Sequence, residues 1–408
     1  MKIIAIPYSH TLSHISRPLA VARELRERGH DIVFAGESPK KTFIEKQSFQ
    51  VVPLYEINPD VLYGNIRAGK LQFVNNSDID RMMAADLTLY DQVRPDLVLS
   101  DGRFTAPISC HIAGIRHAAI VNVSSTEYRA LPYVPFFDWI PKGLLSRENS
   151  AWKMLDRLNL SLEMTVFDRA TSYFTTLSRK HGLKKIITAT NCLVGKDLTL
   201  LPDIPEYFPT RNLPPDYHYI GPITLKQELS SPAWWPPKTG DKPLVYITMG
   251  TTGISNFFEI VSDLIRSSEM AAIITTAGQG KRLATLEGSV YVEELMDGDM
   301  VMEACDLVVC HGGNGTIYQA LQHGKPIVGI PTILDQSFNM RRVEALGVGS
   351  SLTWKEFIGQ PDSLLKAIRN IKGNRSFTEQ AVRVKALLDT YNAPRTAADL
   401  IEKMMGSR

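Results

Sequence analysis

Short apolar runs alternate with helical stretches along most of this chain. Ile3 to Ile6 has the character of a buried parallel strand. A polar loop is expected from Tyr8 to Arg17, a helix opened by Pro18 runs to Arg28, Gly29-His30 turns, and Asp31 to Ala35 is the second strand. This is a βαβ unit, the start of a doubly wound sheet. Further strands are predicted at Gln50 to Leu54, Asp96 to Leu99 and Ala118 to Val123, with helices near Lys40 to Lys46, Ile79 to Val93 and Ala106 to Ala113. The pattern restarts at Leu244 to Met249 and repeats through Ala271 to Thr275, Val290 to Glu293, Leu307 to Cys310, Ile327 to Ile330 and Gly349 to Leu352. Both halves read as doubly wound α/β domains, so a ligand is expected in the cleft between them.

Between the halves the pattern breaks. Pro202 to Pro243 is crowded with proline and glycine. The predicted organisation is a first domain over 1–224, closed by the strand-like stretch His218 to Pro222, a linker over 225–240, and a second domain over 241–376. Closing helices follow over 377–408. Ser124 to Leu145, rich in aromatics and prolines, reads equally as a surface loop with its own small core or as an apolar acceptor wall. Trp152 to Arg169 is helical, with Lys153, Arg157 and Arg169 among apolar residues. A membrane-surface helix is conceivable there, but a solvated outer face is the expected reading.

Composition narrows the class. The 408 residues exceed one core and suit two domains. A formal net charge of +2 points to no nucleic-acid partner. The four cysteines form no CxxC pair and read as buried free thiols of a cytoplasmic protein. The start, MKIIAIPYSH, reads as a first strand rather than a secretion signal, and no run approaches the roughly 20 apolar residues of a membrane span.

The candidate chemistry centres on Leu307 to Gln336, LVVCHGGNGTIYQALQHGKPIVGIPTILDQ. A strand runs directly into His311, Gly312, Gly313, Asn314, Gly315 and Thr316, which open a helix. Glycines at a strand-to-helix turn let a phosphate approach backbone N–H groups at the positive end of a helix dipole. Asp335 and Gln336 follow the next strand on the same sheet edge, where a carboxylate and an amide can hold sugar hydroxyls.

In order and spacing, His311 to Thr316, Gly324 to Pro326 and Asp335-Gln336 resemble the signature box of inverting, GT-B-fold glycosyltransferases that use nucleotide sugars. This is the superfamily of plant secondary-product and bacterial macrolide and antibiotic glycosyltransferases. The resemblance implies a GT-B fold, two Rossmann-like domains facing a central cleft, with the last helix crossing back onto the first domain. It implies that Thr251 and Thr252 join His311, Gly313, Asn314, Gly315 and Thr316 around the diphosphate, and that Asp335 and Gln336 hold the sugar. Leu295 and Met296 stand where many relatives stack the nucleobase on Trp, and Gln319 stands where plant members use Glu for the ribose.

Inverting transfer needs a base for the acceptor proton and something to hold the departing diphosphate. His14, in the loop after the first strand, and Asp101, at the carboxyl end of a strand of the same sheet, are the expected base and its orienting carboxylate. They match the family's Gly-His-x-x-Pro and strand-end Asp, although Ser13 replaces the glycine and Pro18 is displaced by one. His10 is the rival base, and Arg103, beside Asp101, could neutralise it. Asp297-Gly298-Asp299 could pass for a metal-binding DxD, but Asp299 as helix N-cap is the expected role. No essential metal or other cofactor is expected, the nucleotide sugar being a co-substrate. The expected activity is transfer of a hexose from UDP-glucose, favoured over a TDP-sugar, to a small, apolar, hydroxylated acceptor. The rivals are a nucleotide-sugar epimerase, a lipid-linked sugar transferase at a membrane face, and a non-enzymatic accessory subunit.

Overall fold

The computed structural model describes residues 1–135, 150–226, 229–250, 255–278, 283 and 285–406. The chain forms two compact units, Met1–Ile223 with Asn392–Arg408, and Thr224–Tyr391.

In the first unit, β1 (Lys2–Pro7), β2 (Asp31–Ala35), β3 (Gln50–Val52), β4 (Leu97–Asp101), β5 (Arg116–Ile120), β6 (Leu198–Leu201) and β7 (Tyr217–Tyr219) form one parallel sheet. Its order is β3-β2-β1-β4-β5-β6-β7. In the second, β8 (Leu244–Thr248), β9 (Ala271–Thr275), β10 (Val290–Glu293), β11 (Leu307–Cys310), β12 (Ile327–Gly329) and β13 (Gly349–Ser351) form a parallel sheet ordered β10-β9-β8-β11-β12-β13. The strands are continuous apolar runs because helices cover both faces. β8, β9 and β11 are buried at every position.

Each sheet reverses its winding at one place, between β1 and β4 in the first unit and between β8 and β11 in the second. Loops leaving neighbouring strands there diverge to opposite faces and leave a crevice at the carboxyl edge. The first unit's core packs the helix Leu12–Glu27 and the chain-terminal helix Ala393–Gly406 on the sheet, with Ala397, Ala398 and Ile401 fully buried.

The structure departs from the sequence expectation near the N-terminus. Residues 12–17 are helical rather than a loop, and Pro18 lies inside the helix Leu12–Glu27. A proline there removes the bond to the carbonyl four residues back, which belongs to His14, and its ring crowds that carbonyl. The preceding turn is tied independently, since the amides of His14 and Ile15 donate to the Thr11 carbonyl. β6 was not anticipated, because its four residues run straight into Pro202.

Candidate functional site

The first cluster sits at the β1/β4 reversal. Pro7 is in register with Asp101, and the Tyr8 amide donates to the Asp101 carbonyl at 2.7 Å. His14, in the first turn of its helix, brings Nδ1 to 2.5 Å from Asp101 Oδ1. Against a carboxylate, which only accepts, Nδ1 carries the proton and the lone pair is left on Nε2. Arg17 Nη2, a donor that also lies 3.0 Å from Nδ1, then makes no hydrogen bond to it and is held by Asp101 instead. The His14 side chain is 29 % exposed and Asp101 1 %, so the imidazole can meet a ligand while the carboxylate cannot. Gly102, at φ 84°, keeps this contact open: a Cβ there would lie 2.9 Å from Tyr8 Cβ and 3.3 Å from His14 Nδ1.

The cation that neutralises Asp101 is not Arg103. Arg103 turns to the buried Asp86, 2.7 Å away, and donates to the carbonyls of Tyr55 and Met82. Arg17 takes the place instead. Its Nε donates to Asp101 Oδ2 and its Nη2 to Oδ1, both at 2.7 Å, and its Nη1 donates to Asn122 Oδ1. Sequence reasoning missed Arg17 and Asn122. The available signal was an arginine one helical turn after His14, directly before a proline, on the face that must pack against the sheet. Asp101 does not cap the following helix, Ala106–Ala113, where no side chain caps the N-terminus. His10 packs on the Tyr8 ring at 5.3 Å between centroids, and its carbonyl accepts from Lys40.

The second cluster sits at the β8/β11 reversal. His311 follows β11 and is 7 % exposed, and burial pushes its pKa down to about 4, so the ring is neutral at pH 7. Its Nδ1 is buried with no hydrogen-bond partner among the described residues. Two glycines make room for the ring. A Cβ on Gly250, at φ 55°, would lie 2.8 Å from His311 Cε1, and one on Gly313 would lie 2.6 Å from Nε2. Gly312, at φ 85°, would strike Met340 and the Gln336 backbone, whereas Gly315 faces open space. Gly315 is therefore the glycine that a ligand can approach. The helix Asn314–Gln322 begins here with Gly313 as N-cap and no side-chain cap, and Thr316 is half-buried in its first turn. Thr251 and Thr252 lie outside the described residues, as do residues 136–145 of the suggested acceptor wall.

Asp335 and Gln336 open the helix Leu334–Ala345 after β12. Asn339, one turn on, donates to the Gly312 carbonyl at 2.9 Å and ties this helix to the glycine turn. Gln336 is buried, and its carbonyl oxygen accepts from the Thr332 amide and hydroxyl at 2.9 and 3.0 Å. Leu295 is 44 % exposed beside the buried Met296, in the loop after β10. The N-cap of the helix Gly298–Ala304 is Asp297, not Asp299, because Asp297 Oδ1 takes the amides of Asp299 and Met300. Asp299 instead lies 3.3 Å from His323 Nε2 and accepts from the Gln319 amide at 2.9 Å, and these contacts, His323 foremost, hold its carboxyl below the usual range. Among the described residues no three or more His, Cys, Asp and Glu gather as a metal site, and the four cysteines are buried and free.

Residues 262–404 match the family profile described as Erythromycin biosynthesis protein CIII-like, C-terminal domain. The chain is 28 % identical over 391 residues to a PGL/p-HBAD biosynthesis glycosyltransferase of Mycobacterium tuberculosis, covering 94 % of this chain and 87 % of that one. It is also 28 % identical over 395 residues to a PGL/p-HBAD biosynthesis rhamnosyltransferase of Mycobacterium bovis, covering 97 % and 85 %. Among solved structures, the calicheamicin glycosyltransferase superposes with a TM-score of 0.72 at 17 % identity, over 100 % of this chain and 98 % of that one. The spinosyn rhamnosyltransferase superposes at 0.71 and 18 %, over 98 % and 100 %. The fold is GT-B, and over nearly its whole length the chain resembles the sugar transferases of the macrolide and antibiotic type.

Proposed function

We propose that this protein transfers a hexose, with inversion, from a nucleotide diphosphate sugar to a hydroxyl of a small apolar acceptor. The observation that carries the reading is the His14–Asp101 contact at a sheet-reversal point, which pairs Nδ1 with a buried carboxylate and leaves Nε2 of a partly exposed imidazole to act as the base. In this reading His14 Nε2 takes the acceptor hydroxyl proton as the oxygen attacks the anomeric carbon. Asp101 fixes the tautomer and stabilises the imidazolium, and Arg17 holds Asp101. The departing diphosphate is held by the amides of the turn after β11, by Thr316 and by the neutral His311, which can donate one N–H, together with Thr251 and Thr252. Asp335 and Gln336 face the sugar. Leu295 and Met296 give the base an apolar contact, and Gln319 meets the ribose with the carboxylate of Asp299 beside it. No metal is invoked. Burial keeps the His311 ring neutral, so the charge of the diphosphate would be met by the helix dipole and amide donors.

The donor is better supported as a TDP-sugar than as UDP-glucose. The spinosyn rhamnosyltransferase has been solved with thymidine diphosphate, and the Mycobacterium bovis relative is named a rhamnosyltransferase. Calorimetry with TDP-glucose, UDP-glucose, UDP-GlcNAc and free UDP tests the cradle. One donor should bind, and His311→Ala should weaken it. His14→Ala should keep donor binding and lose about 10²–10⁴-fold in transfer rate. A His14→Ala protein with full transfer activity would remove the base assignment, and no binding of any donor would remove the cradle.

A further inference from the structure

The helix Ser150–Ala170 turns its acids inward beside Leu155, Leu160 and Met164, and sets a second row of aliphatics outward. Glu163 accepts from Arg129 at 2.5 Å and from the Val134 amide at 2.9 Å. Asp168 accepts from the amide and hydroxyl of Thr190 at 2.8 and 2.6 Å. Asp156 is half-buried. On the outer face Met154, Leu158 and Leu162 are each 58 % exposed and Val166 43 %. They recur every fourth residue, so they form one row along the helix. The other exposed positions from Met154 to Ala170 are Arg157, Ser161, Thr165 and Arg169, and none is acidic. A helix resting in water keeps its outer face polar and shows no such row there.

The surface continues onto a second segment. The Thr171 hydroxyl donates to the Leu71 carbonyl at 3.1 Å, and Phe167 stacks on Phe73 at 5.8 Å. There Ile66 and Leu71 are exposed together with Arg67 and Lys70, and the one exposed acid of the helix Pro59–Arg67, Asp60, stands in its first turn. The two segments thus bring exposed aliphatics and four cations together, against that one exposed carboxylate. A second copy of this chain is a poor occupant. A two-fold contact sets the same patch against itself, and here that would bring two like-charged patches of net positive sign together. An anionic lipid surface matches both features, apolar at the acyl boundary and negative at the headgroups.

We propose that this face docks the protein on a membrane surface carrying anionic lipid, with the helix Ser150–Ala170 lying in the interface plane. It does not span: among the described residues no helix is long and apolar enough to cross a membrane. The inference uses neither reversal-point cluster, so it stands or falls separately from the transfer reaction.

The test is co-sedimentation of the full chain with phosphatidylcholine vesicles, with and without phosphatidylglycerol, at low and raised salt. The wild type should sediment with the anionic vesicles and be partly released by salt. Leu158→Glu with Leu162→Glu should abolish sedimentation. Arg157→Gln with Arg169→Gln should weaken it roughly five-fold per arginine. All four positions are exposed, so circular dichroism and the melting temperature should not change. If the leucine pair fails to fold, the arginine pair carries the test. Absence of wild-type sedimentation with anionic vesicles overturns the proposal, as does a leucine-pair variant that folds and sediments like the wild type. A wild-type dimer in light scattering that the leucine pair converts to monomer also overturns it, in favour of a self-interface.

Discussion

Asp101 is 1 % exposed and accepts from both His14 and Arg17, so its charge is matched where water cannot reach it. Removing one side of such a pair strands the other charge in a low-dielectric site. Arg17→Ala is expected to cost about 3–5 kcal/mol, read as a fall in the urea midpoint at constant slope. His311 acts on stability through pH. Its folded pKa is about 4, against about 6.5 in an unfolded chain. Below pH 6.5 the unfolded chain takes up a proton that the folded ring refuses, so stability falls as pH drops from 6.5 toward 4. Between pH 7 and pH 5 the loss from this residue is about 2 kcal/mol. Urea unfolding of His311→Gln at both pH values should show a difference smaller by that amount. His117 in the first unit, lowered by burial to about 3, adds a slope of the same sign that this variant retains.

At the level of elements, the turn after β11 shows which parts of a motif sequence can interpret. Its glycines were legible as a cluster and the strand before them is where the apolar pattern put it, but the helix, expected from Ile317, begins at Asn314, inside the cluster. Their separate duties were not legible, because each depends on what lies across the turn. Gly313 gives room to the His311 ring and Gly312 to Met340, while Gly315 alone borders open space. Gly313→Ala should therefore lower the melting temperature by forcing the imidazole to move. Gly315→Ala, in a helical first turn, should leave it unchanged or slightly higher. If the diphosphate sits against that turn, Gly315→Ala should still weaken donor binding at least ten-fold, measured by the same calorimetry. A similar limit applies to the helix Leu12–Glu27. Proline is a common helix opener, so Pro18 read as a start, but the Thr11 carbonyl secures an earlier turn and carries His14 into the helix.

For the whole molecule, the helix Ala393–Gly406 belongs to the first unit although it follows the second in sequence. It packs on the helix Leu12–Glu27, where Arg28 meets Asp399 at 2.6 Å and Glu402 at 2.8 Å. Those ion pairs lie at the surface, on a half-buried Arg28, an exposed Asp399 and a partly exposed Glu402, and contribute little. The fully buried Ile401 carries more, and Ile401→Ala should lower the stability of the first unit by about 2–5 kcal/mol in urea unfolding. The sequence by itself determined the α/β class, the two doubly wound halves, most strand positions and the His14, Asp101 and His311 candidates. Each rests on local periodicity or on a short ordered motif. Tertiary structure alone decided that Arg17 rather than Arg103 matches Asp101, that Asp299 meets Gln319 and that Glu163 and Asp168 face inward. Those outcomes turn on which side chains distant segments bring within hydrogen-bond reach, and local pattern carries no record of that distance.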